Sequence, residues 1–253
     1  MVFIPTSHGL VVAADSRKSF PKNNFCDDAI KILQLDSLPG AVATVTGNGL
    51  FVEMPDPSVR NLCHYYRTAK VRLDVELIVK SYLNTLKVAP SGQEMNILKA
   101  RCLTATRLFL KKYPENVQLY RDAMYQVIVG TFDPYSGTTM IYKFSVRTEP
   151  KEGASVIRER TFRIEFSDKP IPRYFGIGEY VNKYVEHGVG REFLKDCYFV
   201  VFNTSHVADL SPEQGRCAAE SVVDSTKETA SIVSPPFRVG GPTRSVLIQG
   251  KFN

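Results

Sequence analysis

The sequence predicts an α+β protein built as a four-layer α/β/β/α sandwich, with residues 1–253 forming one domain. Three observations predict it. Two short apolar runs near the start, GLVVAADS (9–16) and GAVATVTGNG (40–49), read as buried strands. Two helical stretches and a long hairpin follow them, and the last third returns to helix and then strand. The resulting order of strands, helices, strands, helices, strand is satisfied by two sheets covered by helices.

The elements follow in chain order. IKILQL (30–35) alternates as a strand does, and Pro39-Gly40 supplies the turn after it. In 74–87 the residues Val75, Ile78, Val79, Tyr82 and Leu86 stand near helical spacing. A second helix covers 91–112, where Ser91 and Glu94 fit a capping box. The stretch 123–147 reads as a hairpin around Asp133-Pro134-Tyr135-Ser136-Gly137, and TFRIEF (161–166) as a further strand. Residues 174–188 turn through glycines into a helix, whereas DCYFVVFN (196–203) fits a strand or a helix end equally. The clearest helix is 211–233, with Ser211 as N-cap, Pro212 at the first helical position and Gln214 closing a capping box. A Gly-rich turn then leads into a last strand within 235–250.

Composition excludes several classes. A chain of 253 residues buries roughly 70–75% of its unfolded surface, enough for a substantial core. No apolar run approaches the roughly 18 residues needed to cross a bilayer, and no signal peptide is visible, so no membrane is expected and the location is expected to be cytoplasmic. The five cysteines (Cys26, Cys63, Cys102, Cys197, Cys217) are odd in number and widely spaced, which reads as free buried thiols in a reducing compartment. Net charge is +6, but the basic residues, such as Lys111-Lys112, Arg101 and Arg107, form no recognition motif; no nucleic acid is expected as partner. The four histidines (His8, His64, His187, His206) lack a ligand spacing, so neither a metal nor a cofactor is expected.

One charged stretch stands out. GLVVAADSR drives Asp15 and Arg17 out of an apolar strand without a turn residue, and Lys31 follows sixteen residues after Asp15. Taken alone, Asp15 and Arg17 fit a surface ion pair at a strand end, Lys31 fits a solvent-facing edge residue, and Gly47 and Gly49 fit a turn.

Together, the Ala-Ala-Asp-Ser-Arg string, Lys31 in IKI and the TGNG of 46–49 resemble the proteasome β-subunit branch of the N-terminal-nucleophile hydrolases. The resemblance implies the four-layer sandwich, amide or peptide substrates and assembly into a homo-oligomer. It also implies Asp15 as the carboxylate pairing a catalytic lysine, Lys31 as the activating cation and Gly47 as the oxyanion N–H donor. Arg17 would support the loop, and Thr46, Asn48 and Leu50 would shape a partly apolar substrate pocket. In such a site a terminal Thr, Ser or Cys attacks an acyl carbon while its own amine serves as base.

The sequence departs from that pattern. The nucleophile is expected sixteen residues before Asp15, two ahead of Met1, and Val2 carries no nucleophilic atom. Ile177 stands where the family has a serine in a Gly-Ser-Gly turn, and no acid lies near Val239-Gly240-Gly241 in the sequence. As written, the chain is expected to be inactive. Either an upstream Thr, Ser or Cys is exposed by processing, or the protein is an inactive subunit that works in assembly or binding.

Overall fold

The computed structural model describes the chain except residues 21–23, 53–61, 115–122, 152–153, 166–167, 177, 234–238 and 250–253. In order, the elements are β1 (Val2–Thr6), β2 (Gly9–Asp15), β3 (Lys18–Phe20), β4 (Asn24–Cys26), β5 (Ile32–Gln34), β6 (Ala41–Gly47), β7 (Leu50–Val52), α1 (Leu62–Thr68), β8 (Val71–Asp74), α2 (Val75–Leu83), α3 (Gly92–Lys112), β9 (Ala123–Asp133), β10 (Thr138–Lys151), β11 (Ala154–Glu165), β12 (Arg173–Tyr174), α4 (Gly178–Tyr180), α5 (Asp196–Asn203), α6 (Pro212–Val233) and β13 (Thr243–Ile248). A π-helical turn, Val181–Glu186, continues α4.

The strands fall into four sheets: β12-β1-β2-β13, β11-β10-β9-β6-β5, and the two-stranded ribbons β3-β4 and β7-β8. Every described pairing is antiparallel. The expected four-layer sandwich is corrected accordingly: the protein is a mixed α/β protein with antiparallel sheets. The order of elements gave no warning of this, because it does not say which neighbouring strands leave the main sheets as separate ribbons.

Three apolar clusters hold these elements. Strand β2 is buried on both faces, as its unbroken apolar run requires. Its alternate residues serve different clusters. Leu10, Val12 and Ala14 join Phe3, Ile32, Val42 and Ile128, while Val11 and Ala13 join Tyr198, Val201 and Val222 of α5 and α6. Val127 and Val129 of β9 pack with Val75, Val79, Leu98 and Leu103 of α2 and α3.

Local signals fix the helix starts. Ser91 caps α3 in a capping box: its hydroxyl accepts from Gln93 N at 3.2 Å, and Glu94 accepts from Ser91 N at 2.9 Å. Ser211 and Gln214 exchange the same contacts at the start of α6, at 2.9 and 3.2 Å. The undecided stretch 196–203 is helix α5, and the predicted strand 30–35 is ordered as strand only over Ile32–Gln34.

The cysteine expectation is also corrected. Cys26 bonds to Cys63 and Cys197 to Cys217, leaving only Cys102, which is buried in α3. Wide spacing along the chain concealed pairs that the fold brings together, so the inference from unpaired thiols to a reducing compartment falls. Among the described residues, no helix is long and apolar enough to cross a membrane, and no group of His, Cys, Asp or Glu could hold a metal ion.

Candidate functional site

Asp15 closes β2 and is buried, with its side chain 9% exposed. A carboxylate removed from water needs donors on both oxygens. Lys31 Nζ donates to Oδ1 at 2.8 Å, while the backbone N–H groups of Arg17 and Gly240 each donate to Oδ2 at 3.3 Å. Lys31 lies just before β5 with its side chain 22% exposed, so its head group reaches both the carboxylate and solvent.

Arg17 turns away from this pair. Its guanidinium meets Asp27 through Nε at 2.6 Å and a second nitrogen at 2.8 Å, and it lies 4.6 Å over the Phe25 ring. That fork raises the Arg17 pKa and holds the Asp27 carboxyl below its ordinary range, in each case chiefly through the shared hydrogen bond. Ser16 Oγ is within 2.8 Å of both the Asp27 and Pro242 carbonyls, tying the β2 end to the chain before β13.

The backbone nitrogen of Met1 donates to the Phe175 carbonyl at 3.2 Å. Burial lowers its amine from 8.0 to about 6; the Asp15 charge opposes that fall and the Lys31 charge adds to it. Met1 Sδ in turn accepts from Thr44 Oγ1 of β6 at 2.7 Å. Asp15, Lys31, Thr44 and Phe175 therefore surround the start of the chain.

The remaining expected residues lie at the end of β6 and just after it. Gly47 ends β6 opposite Tyr125 with φ +78°, a conformation glycine adopts without strain. A Cβ there would stand 2.9 Å from the Met124 carbonyl oxygen. Asn48 N donates to the same Met124 oxygen at 2.7 Å, and Leu50 pairs with Asp74 across the β7-β8 ribbon. Thr46 faces Gln126 across β6 and β9 and approaches Gly176. A cleft of about 570 Å³ opens beside Asp15 and Lys31, but Lys80, Arg244 and Asp36 contribute to it, not Thr46, Asn48 or Leu50. The position of Ile177 lies outside the described residues.

Sequence reasoning missed Gly240 and Gly241. The chain shows no acid near them, yet the fold sets Gly240 against Asp15 and against the Arg17 guanidinium. Gly241 takes φ +69°, and a Cβ there would lie 2.5 Å from the Asp27 carbonyl oxygen. The adjacent glycines were the available signal, since close backbone approach is a reason for glycine. His206, one of four scattered histidines, pairs with Asp168 at an exposed position, which raises its pKa through the shared hydrogen bond.

No protein-family model matches the chain, and no curated protein matches it. The solved structures similar to it include two that match over 98% of its length. One is Anbu (ancestral beta-subunit) from Yersinia bercovieri, with 14% identity, 80% of that chain covered and a TM-score of 0.47. The other is Anbu from Hyphomicrobium sp. strain MC1, with 17% identity, 81% of that chain covered and a TM-score of 0.45. Likeness at these TM-scores carries no argument about fold or activity. The resemblance to the proteasome β-subunit branch is thereby corrected, and does not stand as an identification of this chain.

Proposed function

We propose that the chain is an amide-bond hydrolase domain acting on peptide-like substrates, with Lys31 as the activating cation and Asp15 as its pairing carboxylate. The observation that carries this reading is the 2.8 Å contact between Lys31 Nζ and Asp15, bordered by a cleft of about 570 Å³. A cation held there stabilises a developing alkoxide or thiolate, and the carboxylate keeps it from standing alone in a poorly solvated place. Gly47 is assigned the oxyanion N–H, with Thr46, Asn48 and Leu50 beside it. Arg17 supports the loop through Asp27.

A second reading is a non-catalytic subunit acting in assembly or binding. It is favoured by the hydroxyls of Ser16, next to Asp15, and Thr44, at Met1, because both are engaged with other partners. Exposed apolar residues on α2 and α3, Leu77 at 60% and Leu108 at 64%, are compatible with self-association under either reading.

Protein isolated from its native source, treated with a peptide-based acylating inhibitor and weighed intact, separates the two. The hydrolase reading expects one covalent adduct per chain on its first residue, lost in Lys31→Ala. Failure to form an adduct, with an unmodified Met1 or Val2 at the start, overturns it.

A further inference from the structure

The ribbon β3-β4 occupies the stretch of chain between Asp15 and Lys31. Hydrogen bonds close its base. Ala29 N donates to the Ser16 carbonyl at 2.9 Å, Ser16 Oγ donates to the Asp27 carbonyl at 2.8 Å, and the Arg17 guanidinium forks the Asp27 carboxylate at 2.6 and 2.8 Å. The 2.8 Å contact between Lys31 and Asp15 continues that closure inward. On the outward side, Cys26 ends β4 at 2% exposure and bonds to Cys63 of α1, which is partly exposed. One turn along α1, Arg67 meets the Asp28 carboxylate, which Arg244 of β13 also holds. These side chains are at least 44% exposed, so the two ion pairs contribute little stability. The disulfide is therefore a covalent tie between α1 and the ribbon, placed one residue from Asp27.

We propose that the Cys26–Cys63 disulfide is a thiol-exchange site whose opening loosens the ribbon base and, with it, the Asp15–Lys31 pair. The co-substrate is a low-molecular-weight thiol. Its thiolate attacks the Cys63 sulfur, the more accessible of the two, forms a mixed disulfide there and expels the Cys26 thiolate, which takes up a proton. A second thiolate attacks the small-molecule sulfur of that mixed disulfide and releases Cys63, which is protonated in turn. Two small thiols are thereby oxidised to one disulfide, and the protein bridge is reduced to two thiols. The junction then lacks its covalent tie, and the segment 26–29 opens more often. The other bridge differs. Cys197 and Cys217 join α5 to α6, whose Tyr198, Val201, Ala218, Ala219 and Val222 share one buried cluster. That packing holds the two helices together when the bond is open. Control of the ribbon stands apart from the hydrolase reading, whereas any effect on acylation rests on it.

The test incubates the protein in graded mixtures of reduced and oxidised glutathione and counts each open bridge by alkylation and peptide mass. Hydrogen exchange is read in parallel at the amides of Arg17, which donates to Asp15, and Ala29, which donates to Ser16. Cys26–Cys63 is expected to open in less reducing mixtures than Cys197–Cys217. Both amides should then exchange at least about tenfold faster, with those of α6 unchanged, and reoxidation should restore the slow rates. The paired substitution Cys26→Ser and Cys63→Ser should give the fast rates without thiol and no further response. If that variant does not fold, the titration of the unsubstituted protein still decides. Opening of both bridges in one step overturns the proposal, as does opening of Cys26–Cys63 with unchanged exchange at Arg17 and Ala29. A Cys26–Cys63 bridge that stays closed until the protein unfolds overturns it too. Treating the same samples with the acylating inhibitor separates this proposal from the hydrolase reading. Faster exchange on reduction without acylation in any sample keeps the thiol-exchange site and removes the hydrolase. Acylation with unchanged exchange keeps the hydrolase and removes the thiol-exchange site.

Discussion

The backbone N–H of Gly240 donates to the carboxylate of Asp15 at 3.3 Å, joining residues 225 positions apart in the chain. The contact shows that the Gly240-Gly241 turn is part of the wall around the charged pair. Arg17, Ser16 and Asp27 all close on the same turn, and each leaves no room for a side chain there.

Gly241→Ala should therefore destabilise the protein by about 1–3 kcal/mol, through positive φ and a clash with the Asp27 carbonyl. Gly92→Ala, at the start of α3, meets nothing within 4 Å and should be neutral or slightly stabilising. Urea midpoints of the two variants check the contrast. Equal midpoints would mean that the turn does not pack against β2 as described.

Lys31 and Asp15 should behave as a coupled pair. Removing either leaves the partner's charge poorly solvated, so Lys31→Ala and Asp15→Ala should each cost about 2 kcal/mol. The double substitution should cost less than the sum by about 1 kcal/mol, because no orphan charge remains. A double-mutant cycle in urea measures this, and strict additivity would place the lysine head in solvent.

What the sequence revealed and what it hid divides along locality. The starts of α3 and α6 were legible because Ser91–Glu94 and Ser211–Gln214 each act within one turn. That Asp15 and Lys31 should meet was implied by the resemblance and not by their spacing; their contact is 2.8 Å. DCYFVVFN was not legible, because eight largely apolar residues fit either period. The ribbons β3-β4 and β7-β8 stayed hidden because they depend on where neighbouring chain segments go. So did the Gly240 contact and both disulfides.

The disulfides give a counted outcome. Under native, non-reducing conditions a maleimide should label no cysteine quickly, since burial pushes the Cys102 thiol up to about 12 and the other four are bonded. Denaturation alone should expose one thiol per chain, and denaturation with reduction all five. Five thiols without reductant would restore the reading from cysteine spacing. Reduction of the native protein should cost about 2–4 kcal/mol per bridge.

The Met1 amine predicts a pH dependence whose sign follows from burial. Its pKa falls from 8.0 to about 6 on folding, so between those values the unfolded chain holds a proton that the folded chain does not. Below about pH 6 both states are charged and the folded state bears the full cost of burying the ammonium. Above about pH 8 both are neutral and that cost vanishes. For a chain that starts at Met1, this group should make stability rise by about 1–3 kcal/mol from pH 6 to pH 8. The exposed His206–Asp168 pair works in the opposite sense, since its raised pKa favours the folded state only while the imidazole is protonated. Comparing N-terminally acetylated with unmodified protein cancels that contribution and leaves the amine's own. The difference between their urea stabilities should be largest at pH 6 and shrink toward pH 8. A difference that stays constant across this range would mean that the Met1 nitrogen is solvated.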